Sequence, residues 1–216
     1  MTYQLVGNID QVYGGVEICM DGGRNWHVRD KTKHWRFIAV DTETTGCNPK
    51  EQTPVHNAKI HSWSVAYFPT EIETGLRGQP LAKRVFFYGP PEGLAKEMLE
   101  CPQIGKGEHQ SHYDTHAFLN ALIECWANID SLRLSRLLNP HHKQHGLKLL
   151  MLNLLDYKMA DYKELFSDAV ISDSSGKELK RRRIISLDEI VPFTHRFCQL
   201  ADYASLDAKG TLEVII

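Results

Sequence analysis

The chain has 216 residues, 42% of them hydrophobic and 24% charged, with 25 Lys and Arg against 27 Asp and Glu for a net charge of −2. This is the composition of a soluble globular protein, with length for one domain, or one domain and an appendage, and a core that needs no staples. It excludes a disordered tail, a collagen-like fibre and a disulfide miniprotein, and it lacks the strongly basic balance that most simply signals nucleic-acid binding.

Met1 to Asn8 show no basic run followed by an apolar one, so no secretory leader is expected. Cysteines at 19, 47, 101, 125 and 198 form no C-x-x-C pair and suit a reducing compartment, so a cytoplasmic location is expected. The most apolar run, Leu147–Leu155, is far short of the ~20 residues of a membrane span, and no membrane partner is expected.

Residues 1–33 are rich in Gly and turn residues. Val16–Met20 and Trp26–Arg29 alternate partly around Asp21-Gly-Gly-Arg-Asn25, which predicts a small N-terminal β-hairpin extension over 1–33, or an added edge on the sheet of the main domain. The main domain, 34–216, opens on the apolar strand Arg36–Val40, which runs into Asp41-Thr-Glu-Thr-Thr-Gly46. Ile60–Phe68 and Lys83–Tyr88 read as further strands between turns. Pro90–Leu99 reads as a helix with proline near its first turn, Gln103–Gly105 as a short strand, and Asp114–Trp126 as a helix with apolar faces. Another short strand is expected before Asp130. Ser131 is placed as the cap of a helix over Leu132–Leu138 that Asn139-Pro140 stops. Helices are predicted at Gly146–Leu155, at Ala160–Phe166 and, after Pro192, from His195 to the C-terminus. Residues 167–187 are polar and then basic, with a turn at Ser172–Gly176 and the run Lys180-Arg-Arg-Arg183. The order predicts an α/β domain, a central mixed β-sheet flanked by helices.

Three places carry chemistry. Asp41 and Glu43 stand at i and i+2 on a strand, so their side chains share a face at the strand's carboxyl end, where open α/β sheets bind ligands. Two adjacent carboxylates repel unless a cation lies between them, and hard oxygen donors favour Mg²⁺ or Mn²⁺. Asp114 heads an apolar helix, and read alone it is an N-cap. Tyr203 and Asp207, at i and i+4 on the last helix, share a face; read alone they are a core tyrosine beside a solvated carboxylate. Together, four carboxylates from three elements make a site for two divalent ions.

From about Phe37 to Ile216 the chain resembles the 3′–5′ exonuclease domain of family A DNA polymerases (DNA polymerase I type). That domain belongs to the DEDDy subset of the DnaQ-like, ribonuclease-H-like superfamily. The resemblance rests on Ile38-Ala-Val-Asp-Thr-Glu-Thr-Thr-Gly46, on His109-Gln-Ser-His-Tyr-Asp114 and on Tyr203-Ala-Ser-Leu-Asp-Ala208 with Thr211-Leu212. Asp130–Pro140 and His145–Leu150 also look like that family's middle segment. The sister subset has His five residues before the last Asp; here that position is Asp202, and Tyr203 stands four before. Two positions depart from the pattern. Gln110 replaces the usual Asn four residues before the middle Asp, and Cys47 replaces the Leu that wedges against terminal bases.

The resemblance implies a ribonuclease-H-like fold and a two-metal 3′–5′ exonuclease. It would release nucleoside 5′-monophosphates from DNA 3′ ends, as the proofreading part of a phage- or bacterial-type polymerase. Asp41 would bridge two Mg²⁺ or Mn²⁺ ions, Glu43 and Asp207 would complete one site, and Asp114 would hold the other ion. Tyr203, with Glu43, would orient the attacking water; its ordinary pKa near ~10 is too high for a base. Thr42, Thr44 and Thr45 would offer backbone N–H groups near the scissile end. His109, Gln110 and Tyr113 would contact phosphate or sugar, Tyr113 also by stacking. The implied partners are a single-stranded DNA 3′ end or frayed primer terminus, and a polymerase. Because the third motif lies so near Ile216, the polymerase is expected in cis in a longer enzyme, or in trans. The bound cations would supply the positive charge that the composition lacks.

His141, His142 and His145 look like a metal cluster, but no Cys or carboxylate shares their spacing, so a solvated loop or phosphate contact is expected. Lys180–Arg183 reads first as a solvated charge run, and 166–187 as a hairpin insertion over the substrate groove. Two other readings stay open. One is a free-standing 3′–5′ exoribonuclease of the RNase D kind, since no residue reports on the 2′-OH. The other is a catalytically inactive nucleic-acid-binding module, against which the presence of all five key residues argues.

Overall fold

The computed structural model of the chain describes residues 11–13, 16–19, 36–46, 57–69, 82–167, 183–192 and 194–216. Among these, β1 (Gln11–Tyr13), β2 (Val16–Cys19), β3 (Phe37–Thr45), β4 (Lys59–Tyr67), β5 (Lys83–Tyr88), β6 (Gly105–Glu108) and β7 (Ile129–Asp130) form one sheet in the order β1-β2-β5-β4-β3-β6-β7. β3, β4 and β5 are an antiparallel meander, β6 and β7 add in parallel beyond β3, and β2 adds in parallel to β5. The helices are α1 (Leu94–Glu100), α2 (Ser111–Asn120), α3 (Ser131–Leu138), α4 (Leu147–Leu155), α5 (Tyr162–Leu165) and α6 (His195–Ile215), with a 3₁₀ turn at Leu187–Glu189.

Alternation along β3 decides what each face of the sheet meets. Ile38 and Val40 turn one way, and with Trp63, Val65 and Phe87 they pack under Leu99 of α1 and Phe118 of α2. Trp63 and Phe87 are cross-strand partners, stacked with centroids 3.9 Å apart, and both are fully buried. Trp63→Ala is expected to cost about 3–5 kcal/mol, read as a lower denaturation midpoint at unchanged m-value.

Ala39 turns the other way, toward α6. It packs with Ala66, Ala208 and Leu212, so small side chains on both sides let the helix lie close on the sheet. The Ser64 hydroxyl donates to the Ala204 carbonyl at 2.9 Å. Farther along the same face, Val16, Ile18 and Phe86 bury against Phe166, Ile185, Phe197 and Leu200. The close approach of α6 carries Tyr203 and Asp207 to the carboxyl end of β3.

Several local expectations need correction. β2 is a sheet extension, paired with β1 before it and with β5; the second predicted hairpin arm, Trp26–Arg29, lies outside the described residues. α1 starts at Leu94 after Gly93, whose φ is 54°, and not at Pro90. β6 spans Gly105–Glu108 rather than 103–105. α2 runs over Ser111–Asn120 rather than 114–126, because Gln110 starts it in a left-handed conformation and Leu122, at φ 59°, turns the chain away. The cap of α3 is Asp130, whose carboxylate accepts from the N–H groups of Leu132 and Arg133; Ser131 is the first helical residue. α5 is shorter than predicted, and α6 begins at His195 as expected. Ser167 and Ile184 form an antiparallel bridge that closes the base of the predicted insertion, while residues 168–182 lie outside the described residues. No helix among the described residues is long and apolar enough to cross a membrane.

Candidate active site

Asp41 and Glu43 continue the Ala39 face of β3, and Gly46 closes the strand. Gly46 has φ +76°, and a Cβ there would lie 2.7 Å from the Asn57 carbonyl oxygen, so only glycine fits. On β4, Ser64 and Ser62 stand opposite the two acids; between Glu43 and Thr44 the register slips, leaving His61 as the extra residue. On α6, Asp207 lies one turn after Tyr203. One carboxylate oxygen from each of Asp41, Glu43 and Asp207 lies within 4.8 Å of the other two. Among the described residues no other three potential metal-binding side chains converge in this way.

The Oδ1 atom of Asp207 is buried without a hydrogen-bond partner. A carboxylate with an orphaned oxygen, set beside two more carboxylates, is the donor chemistry of a hard divalent cation. The electrostatics agree. Burial raises the Asp41 carboxyl well above its ordinary range, and Asp114, Asp207 and Glu43 raise it further. Burial, then Asp207 and Asp114, push Glu43 up to about 8. Asp207 rises to about 6 through burial, held back by Lys148 and a hydrogen bond with Tyr203. The raised values record the cost of gathering these charges without a cation between them.

Asp114 stands apart from the three. Its Oδ1 accepts from the Thr42 N–H at 3.0 Å and from the Thr42 hydroxyl. Thr42 faces away from Asp41 and Glu43 on the strand, so Asp114 reaches β3 from the α2 side. It is not the N-cap of α2; it sits inside the first turn, after Gln110 and Ser111. Burial lifts its pKa to about 7 against the pull of the two Thr42 bonds, and its charge raises Asp41 and Glu43.

The expected substrate contacts divide into two groups. Thr42 does not offer a free N–H, since Asp114 holds it, and the Thr44 hydroxyl is hydrogen-bonded to the Tyr113 phenol. Asp114 therefore braces the end of β3 through Thr42, Tyr113 braces it through the Thr44 hydroxyl, and Thr45 stands opposite Lys59 in its last pair. His109 and Gln110 do border a groove of about 650 Å³, which Gln144, His145, Lys148, Asp41 and Asp207 also line. His109 Nδ1 meets the Ser131 hydroxyl at 2.8 Å, and burial lowers its pKa to about 4, so the ring is neutral near pH 7. Gln110 has φ 64°, a conformation Asn tolerates better than Gln, so the substitution of Gln for the expected Asn falls on a strained backbone. Cys47 lies outside the described residues.

Tyr203 is a proton donor at every working pH: burial and the charges of Asp207, Glu43 and Asp41 push its phenol far above the ordinary range. Lys148, singled out by no sequence feature beyond its place in His145–Leu150, reaches it. The ammonium is 2.8 Å from Asp161 Oδ1, 3.5 Å from the Tyr203 hydroxyl and 5.0 Å from that ring's centroid. Asp130 is a second residue whose role no local pattern signals. Its carboxylate accepts from the N–H groups of Gln110 and Ser111 and from the Ser111 hydroxyl, tying the start of α2 to that of α3. The histidine trio is no metal cluster. His145 engages the Ser135 hydroxyl and the His142 carbonyl, each at 2.8 Å, and His142 engages the Gln144 carbonyl. Arg183, the last residue of the basic run, pairs with Glu189 at 2.6 Å.

The fold around this site is a ribonuclease-H-like α/β fold that solved nucleases share. By structure the chain is similar to Brucella melitensis NrnC, with TM-score 0.60 and 14% identity over 93% of this chain and 78% of that one. A second structure of that protein, "with bound Mg2+", gives TM-score 0.59 at 15% identity, covering 93% of this chain and 78% of that one. Escherichia coli RNase D, "an exoribonuclease involved in structured RNA processing", aligns at TM-score 0.53 and 17% identity over 84% of this chain and 38% of that one. The POL domain of Pol1 from M. smegmatis, in complex with DNA primer-template and dNTP, aligns at TM-score 0.51 and 10% identity over 87% and 24%. No family model matches the chain, and no curated protein matches its sequence.

Proposed function

We propose that the chain is a metal-dependent 3′–5′ exonuclease that hydrolyses the terminal phosphodiester of a single-stranded DNA end. It would release nucleoside 5′-monophosphates and serve as the proofreading partner of a polymerase, in cis or in trans. The observation that carries this is the convergence of the Asp41, Glu43 and Asp207 carboxylates, the last of which has a buried oxygen without a hydrogen-bond partner. Those three acids would hold one divalent ion, and Asp41 with Asp114 a second, either Mg²⁺ or Mn²⁺. When bound, such ions acidify a water and stabilise the leaving 3′ oxygen. The remaining work falls to the chain. Tyr203 directs a hydroxyl at the attacking water, and the groove walls at His109, Gln110, Gln144 and His145 receive the terminal nucleotides. A cytoplasmic setting accords with the free thiols of Cys19, Cys101, Cys125 and Cys198.

An exoribonuclease is the second reading. It is favoured by the likeness to the exoribonuclease RNase D of Escherichia coli, which extends over 38% of that chain at TM-score 0.53, against 24% of the polymerase at 0.51. One experiment separates them. DNA and RNA oligonucleotides, labelled at either end, are incubated with Mg²⁺ or Mn²⁺. Metal-dependent release of mononucleotides from the 3′ end, faster on DNA, is expected. A rate about tenfold higher on RNA selects the second reading, by discrimination at the 2′-OH. No release, or loss from the 5′ end, refutes both.

A further inference from the structure

Lys148 is the second residue of α4, yet it does not behave as a surface lysine. Its side chain is 31% exposed and runs inward along the groove that Asp41 and Asp207 line. Asp161 holds its ammonium and is itself held, because the Asp161 carboxylate and Glu164 form the capping box of α5. On the other side the ammonium rests on Tyr203, within reach of both the hydroxyl oxygen and the ring. Tyr162 and Phe166 meet the same ring edge-on, with centroids 5.7 and 6.2 Å away, so the phenol has few ways to turn.

An ammonium has donors and no acceptor, whereas a phenol has one hydrogen to donate. With Lys148 donating to the phenol oxygen, the phenol hydrogen points away from Lys148, toward the Asp207 carboxylate with which Tyr203 shares a hydrogen bond. We propose that Lys148, tethered by Asp161, is a positioning residue that sets the direction of the Tyr203 O–H and thereby the placement of the attacking water. The proposal rests on the exonuclease reading above. The tether argues against a simple phosphate clamp: an ammonium already paired with a carboxylate is a poor free cation, but a well-placed donor.

Lys148→Met keeps the stem and removes the donors. On a 3′-labelled single strand at saturating metal, kcat is expected to fall about ten- to a hundredfold while KM moves less than about threefold. Lys148→Arg, which can still pair and donate, should recover most of that loss. In a Tyr203→Phe background, Lys148→Met should have no further effect, because the hydroxyl it directs is gone. A change in KM alone, or the same loss with and without the hydroxyl, overturns the proposal. A readout without turnover stands beside it: the Tyr203 Cζ resonance of the metal-free, ¹³C-tyrosine-labelled protein. It should shift in Lys148→Met and in Asp161→Asn and return in Lys148→Arg. A resonance that does not move sinks the proposal even if the exonuclease is active. A wild type without activity refutes the exonuclease reading, and the resonance still decides whether Lys148 sets the phenol.

Discussion

Replacing Asp41 and Glu43 together by Asn and Gln is expected to lower exonuclease turnover by about 10³-fold or more, since the donors for the proposed cation are gone. The same change is expected to raise the thermal midpoint of the metal-free protein. Both effects have one cause. The two carboxyls stand on one face of β3, within 4.8 Å of Asp207, and burial and mutual repulsion raise them far from their ordinary range. Amides of the same shape keep the packing and remove the like charges that the fold must otherwise hold. A site chosen for structure behaves the other way: removing its charged groups would lower the midpoint. The double variant is therefore measured twice, by mononucleotide release and by thermal unfolding without metal. Surviving turnover refutes the site. Lost turnover with a lowered midpoint refutes the claim that the acids oppose the metal-free fold.

How much of the fold and site is legible in the sequence depends on the physics of each residue. β3, β4 and β5 carry β-branched and aromatic runs between turn residues, and spacing alone puts Asp41 with Glu43 and Tyr203 with Asp207. β6 is not legible in this way. Gly105-Lys-Gly-Glu108 has no strand propensity, and its glycines serve distant neighbours. A Cβ on Gly107 would lie 2.6 Å from Ile215 Cδ1, and one on Gly105 would lie 2.6 Å from the Phe37 ring. The start of α2 is hidden for a similar reason, since Gln110 is held in place by Asp130, 20 residues on. The strand Val16–Cys19 is legible, but its partner is not: Val16 pairs with Arg84, far along the chain, and a nearer turn at 21–25 looks as good. At the site, Asp114 looks like a helix cap from the sequence because caps and metal ligands use the same residue. Only the fold brings Thr42 to it. Lys148 meets Asp161 and Tyr203 through the packing of three helices, which no local pattern encodes.

Thermal stability of the metal-free protein is expected to fall as pH rises from about 6.5 to about 8, and Mg²⁺ or Mn²⁺ to restore it by more at the upper end. The carboxyls set the sign. Glu43 titrates at about 8, Asp114 at about 7 and Asp207 at about 6 in the folded chain, and all lie above their ordinary values. A raised carboxyl means that the folded state binds the proton more tightly than the unfolded one. Its stabilising share is intact below the ordinary carboxyl range and is lost as pH climbs through the folded value. Glu108, buried and raised to about 9, slopes the same way, but it stands outside the three-acid cluster. His109 and His61 are lowered by burial and slope oppositely, but only below their ordinary values near 6.5, which sets the lower edge of the window. Asp130, Asp161 and Glu189 are lowered and finish titrating well below it. A cation competes with the protons of Asp41, Glu43, Asp114 and Asp207, so its apparent affinity rises as they leave. At about a hundredfold excess over its Kd it contributes roughly 2.7 kcal/mol, a midpoint gain of about 5–10 °C for a chain of this size. Thermal scans at pH 6.5, 7.2 and 8, with and without the ion, measure the gain directly. A gain that does not change with pH, or that persists in the Asp41→Asn, Glu43→Gln double variant, would place the ion somewhere other than among these carboxylates.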